Sequence, residues 1–175
     1  MKKLFMLLAV LLFCLSLVST SYSAMVFSDT GSDEVLKTYF NNTRPAGGNN
    51  LTLKLFCTNV TPTSSMNAGS FTECAGGGYS TCWSGTGWSS AGVLSNGSWT
   101  INTGNDPSDA VYTQGTCTFT GALTTNGTVY GYFIVDADGT LITAENLGAI
   151  ITPTNNGDNL KITPKIQASY GTPQQ

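Results

Sequence analysis

Apolar and polar positions alternate along much of this chain, most clearly in its last third. Val129-Tyr130-Gly131-Tyr132-Phe133-Ile134-Val135 is a run of β-branched and aromatic residues broken by one glycine. Asp136-Ala137-Asp138-Gly139 has the spelling of a turn, and Thr140-Leu141-Ile142-Thr143-Ala144-Glu145 runs back from it. Further on, Leu160, Ile162, Pro164 and Ile166 alternate with Lys161, Thr163, Lys165 and Gln167. A strand places successive side chains on opposite faces, so this run has one apolar and one polar side. The three segments read as a hairpin and a returning strand that together form a central sheet.

The rest of the chain follows the same pattern. Leu51-Thr52-Leu53-Lys54-Leu55-Phe56-Cys57 predicts a strand, Trp99 and Ile101 mark another, and Val111 to Phe119 a long one. Asn126-Gly127 is a strong hairpin signal leading into Val129, and Asn155-Asn156-Gly157-Asp158 is another between Ile151 and Leu160. The one helix signal lies between Thr30 and Asn42: Ser32 can cap it, Asp33 and Glu34 suit its N-terminus, and Val35, Leu36, Tyr39 and Phe40 recur at helical spacing. Roughly eight strands with short turns and one N-terminal helix predict an all-β fold, a single β-sandwich of jelly-roll type over residues 24–175.

Composition narrows the function classes. Charged residues make up only 10% of the chain, against about a quarter in ordinary soluble domains, and Thr, Ser, Asn and Gly take their place. The formal charge is −3, and losing Lys2 and Lys3 with a leader would take it to −5. Nucleic-acid binding needs clustered positive charge to replace the counterions on phosphates, so that class is set aside. Lys2 and Lys3 precede an apolar run from Leu4 to Val18, which ends in Ser19-Thr20-Ser21-Tyr22-Ser23-Ala24. This reads as a secretory signal over residues 1–23, cleaved after Ser23, with no membrane attachment once it is removed. An uncleaved anchor and an upstream extension before a start at Met25 are the alternatives.

After cleavage Cys57, Cys74, Cys82 and Cys117 remain, an even count that predicts two disulfides in an exported chain. Cys74 and Cys82 flank the Gly76-Gly77-Gly78 loop and are the expected local bridge; the competing reading is four buried thiols. With no histidine and no C-x-x-C spacing, neither a Ser–His–Asp set nor a zinc site is expected, and no cofactor. Asp136, Asp138 and Glu145 remain for acid–base work. The D-x-D-G spelling resembles a calcium loop, but its glycine comes two places early and Leu147 stands where the closing glutamate belongs. No pair of carboxylates is singled out for glycoside hydrolysis. Tyr79, Trp83 and Trp88 are candidate contacts for a partner or a surface glycan, Trp88 foremost because it sits in a Gly/Ser-rich stretch. Trp99, alternating with Ile101, is expected in the core.

Four blocks carry a family resemblance. They are Leu51-Thr-Leu-Lys-Leu-Phe-Cys-Thr-Asn-Val-Thr-Pro62; Phe71-Thr-Glu-Cys74 followed by Gly78-Tyr79; Val129 to Asp136 with Leu141 to Glu145; and Asn156-Gly-Asp158 with Leu160-Lys-Ile-Thr-Pro164. Together, across most of residues 25–169, they resemble small β-rich virion-associated structural proteins of tailed bacteriophages. The resemblance implies a non-enzymatic head-decoration or tail-associated component. Its partners would be other virion proteins (capsid or tail) and further copies of itself. Tyr39 and Phe40, with the loop from Gly76 to Gly92, are the candidate contact surfaces. Two features depart from that family: a secretion leader, and four cysteines that argue against a reducing assembly compartment. The alternative is a secreted bacterial surface carbohydrate-binding or adhesion module, so the chain is expected on a virion or outside the cell.

Overall fold

The computed structural model describes residues 26–32, 50–95, 98–103 and 109–167. The leader, most of the expected helix, and Tyr39 and Phe40 with it, lie outside the described residues. In chain order the strands are β1 (Val26–Phe27), β2 (Leu51–Phe56), β3 (Trp83–Ser84), β4 (Val93–Leu94), β5 (Trp99–Asn102) and β6 (Asp109–Tyr112). They continue with β7 (Gly115–Thr120), β8 (Val129–Val135), β9 (Leu141–Ile151), β10 (Asn156–Ile162) and β11 (Lys165–Gln167). They form three antiparallel sheets: β1-β9-β8-β2-β4, β10-β7-β3 and β11-β6-β5. The all-β, sandwich-like expectation holds, although this pairing does not by itself define a jelly roll. Among the described residues no helix is long and apolar enough to cross a membrane.

The five-stranded sheet is built around β8, which is paired on both sides and buried on both faces. Tyr132 and Ile134 face one cluster with Leu53 and Leu55 of β2, and with Cys117, Phe119, Leu160 and Ile162 of the second sheet. Phe133 and Val135 face the other way, onto Phe56, Phe71, Leu141 and Ala144. On that side the Phe71 ring lies 4.9 Å from Phe56 and stacks on Phe133 at 5.2 Å. The glycine in the middle of β8 makes this possible. A Cβ on Gly131 would sit 2.3 Å from the carbonyl oxygen of Glu145 and 2.3 Å from the ring of Phe56. The β8–β9 turn forms as expected, with the Asp136 Oδ1 accepting the amides of Asp138 (3.0 Å) and Thr140 (2.8 Å).

Several local expectations are corrected. The run from Leu160 does not join the hairpin's sheet; as β10 it pairs with β7. Asn126 and Gly127 both adopt positive φ (50° and 68°), the geometry of a tight hairpin turn, but β7 and β8 on either side of them belong to different sheets. The connection from β9 to β10 likewise passes the chain from one sheet to another, and Asn156-Gly157-Asp158 of the expected turn lie within β10, at its register shift. Turn residues fix local direction; the partner of a strand is fixed by which apolar face it must cover. The long strand expected from Val111 breaks at Thr113-Gln114 into β6 and β7, which serve different sheets. Residues 29–32 are helical and Ser28, not Ser32, caps them: the Gly31 amide donates to the Ser28 Oγ at 2.9 Å. Trp99 is half-buried against Tyr112 (5.0 Å), while Ile101 is 62% exposed, because β5 is the outer strand of the third sheet.

The cysteines form two bridges, Cys57–Cys74 and Cys82–Cys117, and not the local one expected. Gly76, Gly77 and Gly78 all take positive φ and carry the chain off the first sheet toward the second. Cys74 therefore stays beside β2, its amide donating to the Leu55 carbonyl at 3.0 Å, while Trp83, next to Cys82, pairs in register with Cys117 on β7. Each bridge staples a loop to a core strand. With loops of 17 and 35 residues, the chain-entropy model assigns them about 3 and about 4 kcal/mol.

Two outcomes follow for stability. Gly131→Ala is expected to cost about 3 kcal/mol, since one of its clashes is with backbone that cannot turn aside, and a urea midpoint measures it. Replacing Cys82 and Cys117 together by Ala is expected to cost about 4 kcal/mol, more than the same change at the shorter bridge.

Candidate functional site

The outer side of β2 is incompletely covered. β4 pairs only with Leu51 and Thr52, and the next bridge joins Phe56 to Glu73. Between them the backbone of β2 finds other partners: the Leu53 amide donates to the Gly92 carbonyl (3.0 Å), and the Leu55 amide donates to the Tyr79 hydroxyl (2.9 Å). This gap in strand coverage opens as a cleft of about 370 Å³, lined by Lys54, Glu73, Gly76, Tyr79, Trp83 and Ala91 among others.

The cleft's polar groups are linked. The Lys54 Nζ lies 2.8 Å from the Glu73 Oε2, and the Tyr79 hydroxyl donates to the Glu73 Oε1 at 3.2 Å. Burial raises the Tyr79 pKa far above the ordinary phenol range; the Leu55 amide opposes this and the Glu73 charge adds to it. Tyr79 thus stays a neutral phenol, accepting from the backbone and donating to the carboxylate. The ion pair itself is about 35–41% exposed and contributes under about 1 kcal/mol to stability. Trp83, in the wall, is buried, and its Nε1 has no hydrogen-bond partner among the described residues. An orphaned donor of this kind costs about 1–3 kcal/mol.

The rim is tied down by backbone hydrogen bonds. The Thr120 amide donates to the Gly77 carbonyl (2.7 Å), the Thr124 amide to the Ala75 carbonyl (2.8 Å), and the Tyr79 amide to the Gly76 carbonyl (2.9 Å). A side chain at Gly76 or Gly78 would run into Thr124 or Thr120.

Of the aromatic residues picked out in the sequence, Trp83, Trp88 and Trp99 pack with Tyr112 into a ladder. Tyr79 and Trp83 are buried, and Trp88 is half-buried. The Trp83 ring stacks on Trp88 at 4.7 Å, and Trp88 and Trp99 both meet Tyr112 edge-on (5.7 and 5.0 Å). The Trp88 Nε1 donates to the Thr113 carbonyl at 2.9 Å. Trp88 is therefore tied into the ladder on one face and at its polar edge, and does not stand as an open stacking platform.

The acidic residues are dispersed. Asp136 caps its own turn, with its Oδ2 buried and without a partner among the described residues. Glu145 lies across the hairpin from Tyr132 and accepts its hydroxyl. Burial raises the Glu145 pKa and the Tyr132 hydrogen bond opposes it, while burial and the neighbouring carboxylate push Tyr132 up as well. Asp109, buried, meets Lys165 (2.7 Å) and the Asn102 Nδ2 (2.7 Å). Asp158 accepts the amides of Asn155 and Thr154, which hold its pKa down. Asp136, Asp138 and Glu145 are not brought together, and no cluster of three metal-ligating side chains converges among the described residues. Lys54, Glu73 and Ser80 were not legible as a site, because the gap between β4 and Glu73 exists only once the strands have paired.

Comparison with protein-family models, with curated proteins and with solved structures finds no match. The two disulfides mark an oxidising, extracellular or secreted environment.

Tyr79→Phe is expected to cost about 1–3 kcal/mol, because the buried Leu55 amide loses its acceptor, and Glu73→Gln less than about 1 kcal/mol; urea denaturation separates the two. Glu145 keeps its proton to higher pH in the fold than in the unfolded chain. Between those two pKa values the unfolded state releases the proton first, so its stabilising contribution is complete at low pH and is lost as pH rises through that window. Thermal midpoints across pH should show this loss for the wild type and not for Glu145→Gln.

Proposed function

We propose that this protein is a non-enzymatic structural component on the outside of a tailed-phage particle, a head-decoration or tail-associated protein working through protein–protein contacts. The observation that carries the reading is how the carboxylates are used. Glu73 links two segments beside β2, and Asp109 holds the third sheet together. Asp136 and Asp158 each fix a turn, and Glu145 ties β9 to β8. Each acts separately as a fastener. The two staples and the rigid glycine turn suit a durable surface module in an oxidising exterior.

The blocks that resemble virion proteins support the same reading, because they coincide with structural strands: β2, the β8–β9 hairpin, β10 and the segment bridged to Phe56. Contact surface is available in two places besides the loop from Gly76 to Gly92. Between Gly131↔Asn146 and Val129↔Ile151 the strand β9 bulges outward, presenting Gly148, Ala149 and Ile150, the last 61% exposed. Ile101 is exposed on the outer strand β5. Burial of such positions against capsid or tail neighbours, or against further copies, stabilises an assembly through contact area.

The alternative, a secreted carbohydrate-binding or adhesion module anchored on Trp88, is weakened by the packing of that ring. Recombinant protein is expected to co-sediment with phage particles or to self-associate, and Ile150→Asp to weaken this association. A strict monomer with no affinity for particles overturns the reading.

A further inference from the structure

We propose that the cleft beside β2 is a binding site for a neutral, hydroxyl-rich ligand, a single saccharide unit of a surface glycan. The inference stands on the cleft alone and is separate from the assembly reading. At about 370 Å³ the space lies within the range of small-ligand pockets. Its polar groups supply both halves of a hydrogen bond. The Lys54 ammonium has three donors, and the carboxylate of Glu73 has about four acceptor positions, of which Lys54 and Tyr79 use two. A sugar hydroxyl both donates and accepts, and adjacent hydroxyls can engage the carboxylate and the ammonium together.

Charge selects the ligand class. Lys54 and Glu73 neutralise each other at 2.8 Å, so neither an anion nor a cation meets a net opposite charge there, and the whole chain is negative at −3. The wall provides the buried Trp83 ring, together with Ala91 and the glycine rim. The site is preorganised. Gly76, Gly77 and Gly78 are held at positive φ against the Thr120–Thr124 segment, and Tyr79 fixes the Glu73 carboxylate before any ligand arrives.

The test uses the full-length protein on an array of neutral glycans, with inorganic phosphate and an uncharged peptide as further probes. Positive sugars are then titrated by tryptophan fluorescence. The expected result is saturable binding of at least one sugar, weakened about tenfold or more by Glu73→Gln, which removes a charge-assisted acceptor while keeping the side chain's shape. Ser80 is exposed at the cleft, so Ser80→Trp fills the space from outside and should abolish binding without unfolding the protein. Ile150→Asp should leave sugar binding unchanged, and Glu73→Gln, which lies outside the loop from Gly76 to Gly92, should still sediment with particles, so the two readings fail separately. A silent array, binding untouched by both cleft variants, or competition by phosphate or peptide overturns the proposal.

Discussion

The structure depends on burying one strand on both of its faces. β8 lies between β2 and β9, so its backbone is paired on either side, and its side chains must alternate between two apolar clusters. Tyr132 and Ile134 meet the second sheet, whereas Phe133 and Val135 meet the Phe71 side. Such a strand tolerates no slip of register, because a shift of one residue would exchange the two faces. Gly131 reinforces this. The space above it is already filled by the Phe56 ring, so only the observed register places a residue without a side chain there.

That arrangement dictates where the disulfides and the cleft must be. With β8 flanked by β2 and β9, the free side of β2 is the place where loops close the sheet. The chain after β2 returns alongside it, forms the bridge at Glu73 and the Cys57–Cys74 disulfide, then leaves through three glycines. Having crossed to the second sheet it is fastened again at Cys82–Cys117. Tyr79, between the two fastenings, reaches back with its hydroxyl to an amide of β2 that no strand covers. A side chain substitutes for a missing strand there, and the space around it is the cleft.

The parts of this fold that were legible in the sequence are those set by neighbouring residues. The hairpin of β8 and β9 follows from two alternating runs and an Asp-x-Asp-Gly turn whose first carboxylate bonds the turn's own amides. The extended conformation of Leu51–Phe56 and of Asn159–Ile162 follows from the same alternation. Partner choice did not. Asn126 and Gly127 adopt the backbone of a hairpin turn, yet the strands on either side are claimed by different sheets, because β7 offers Cys117 and Phe119 to one core face that β10 and β3 complete. The disulfide pairing was hidden for a related reason. Cys74 and Cys82 are close in sequence, but the positive-φ glycines between them separate their paths. Trp88 looked exposed because its neighbours are Gly and Ser, and small neighbours also let Trp83 and Tyr112 approach its ring.

A chain with few charges places weight on how each one is used. At 10% charged residues, the carboxylates here mostly act as acceptors for particular amides, hydroxyls and ammonium groups. Charges held in this way contribute to uniqueness of structure more than to attraction at a distance, since each is neutralised or bonded locally. Recognition by such a surface must then work at contact range, through shape, apolar tips such as Ile150, and short-range hydrogen bonds. The pair Lys54–Glu73 differs from the rest in one respect. It is partly open to solvent beside a cavity, so its remaining donors and acceptors line a space that a ligand can enter. Rigid walls around unsatisfied polar groups are the condition under which a weakly charged β module gains selectivity, because the ordering cost has already been met in folding.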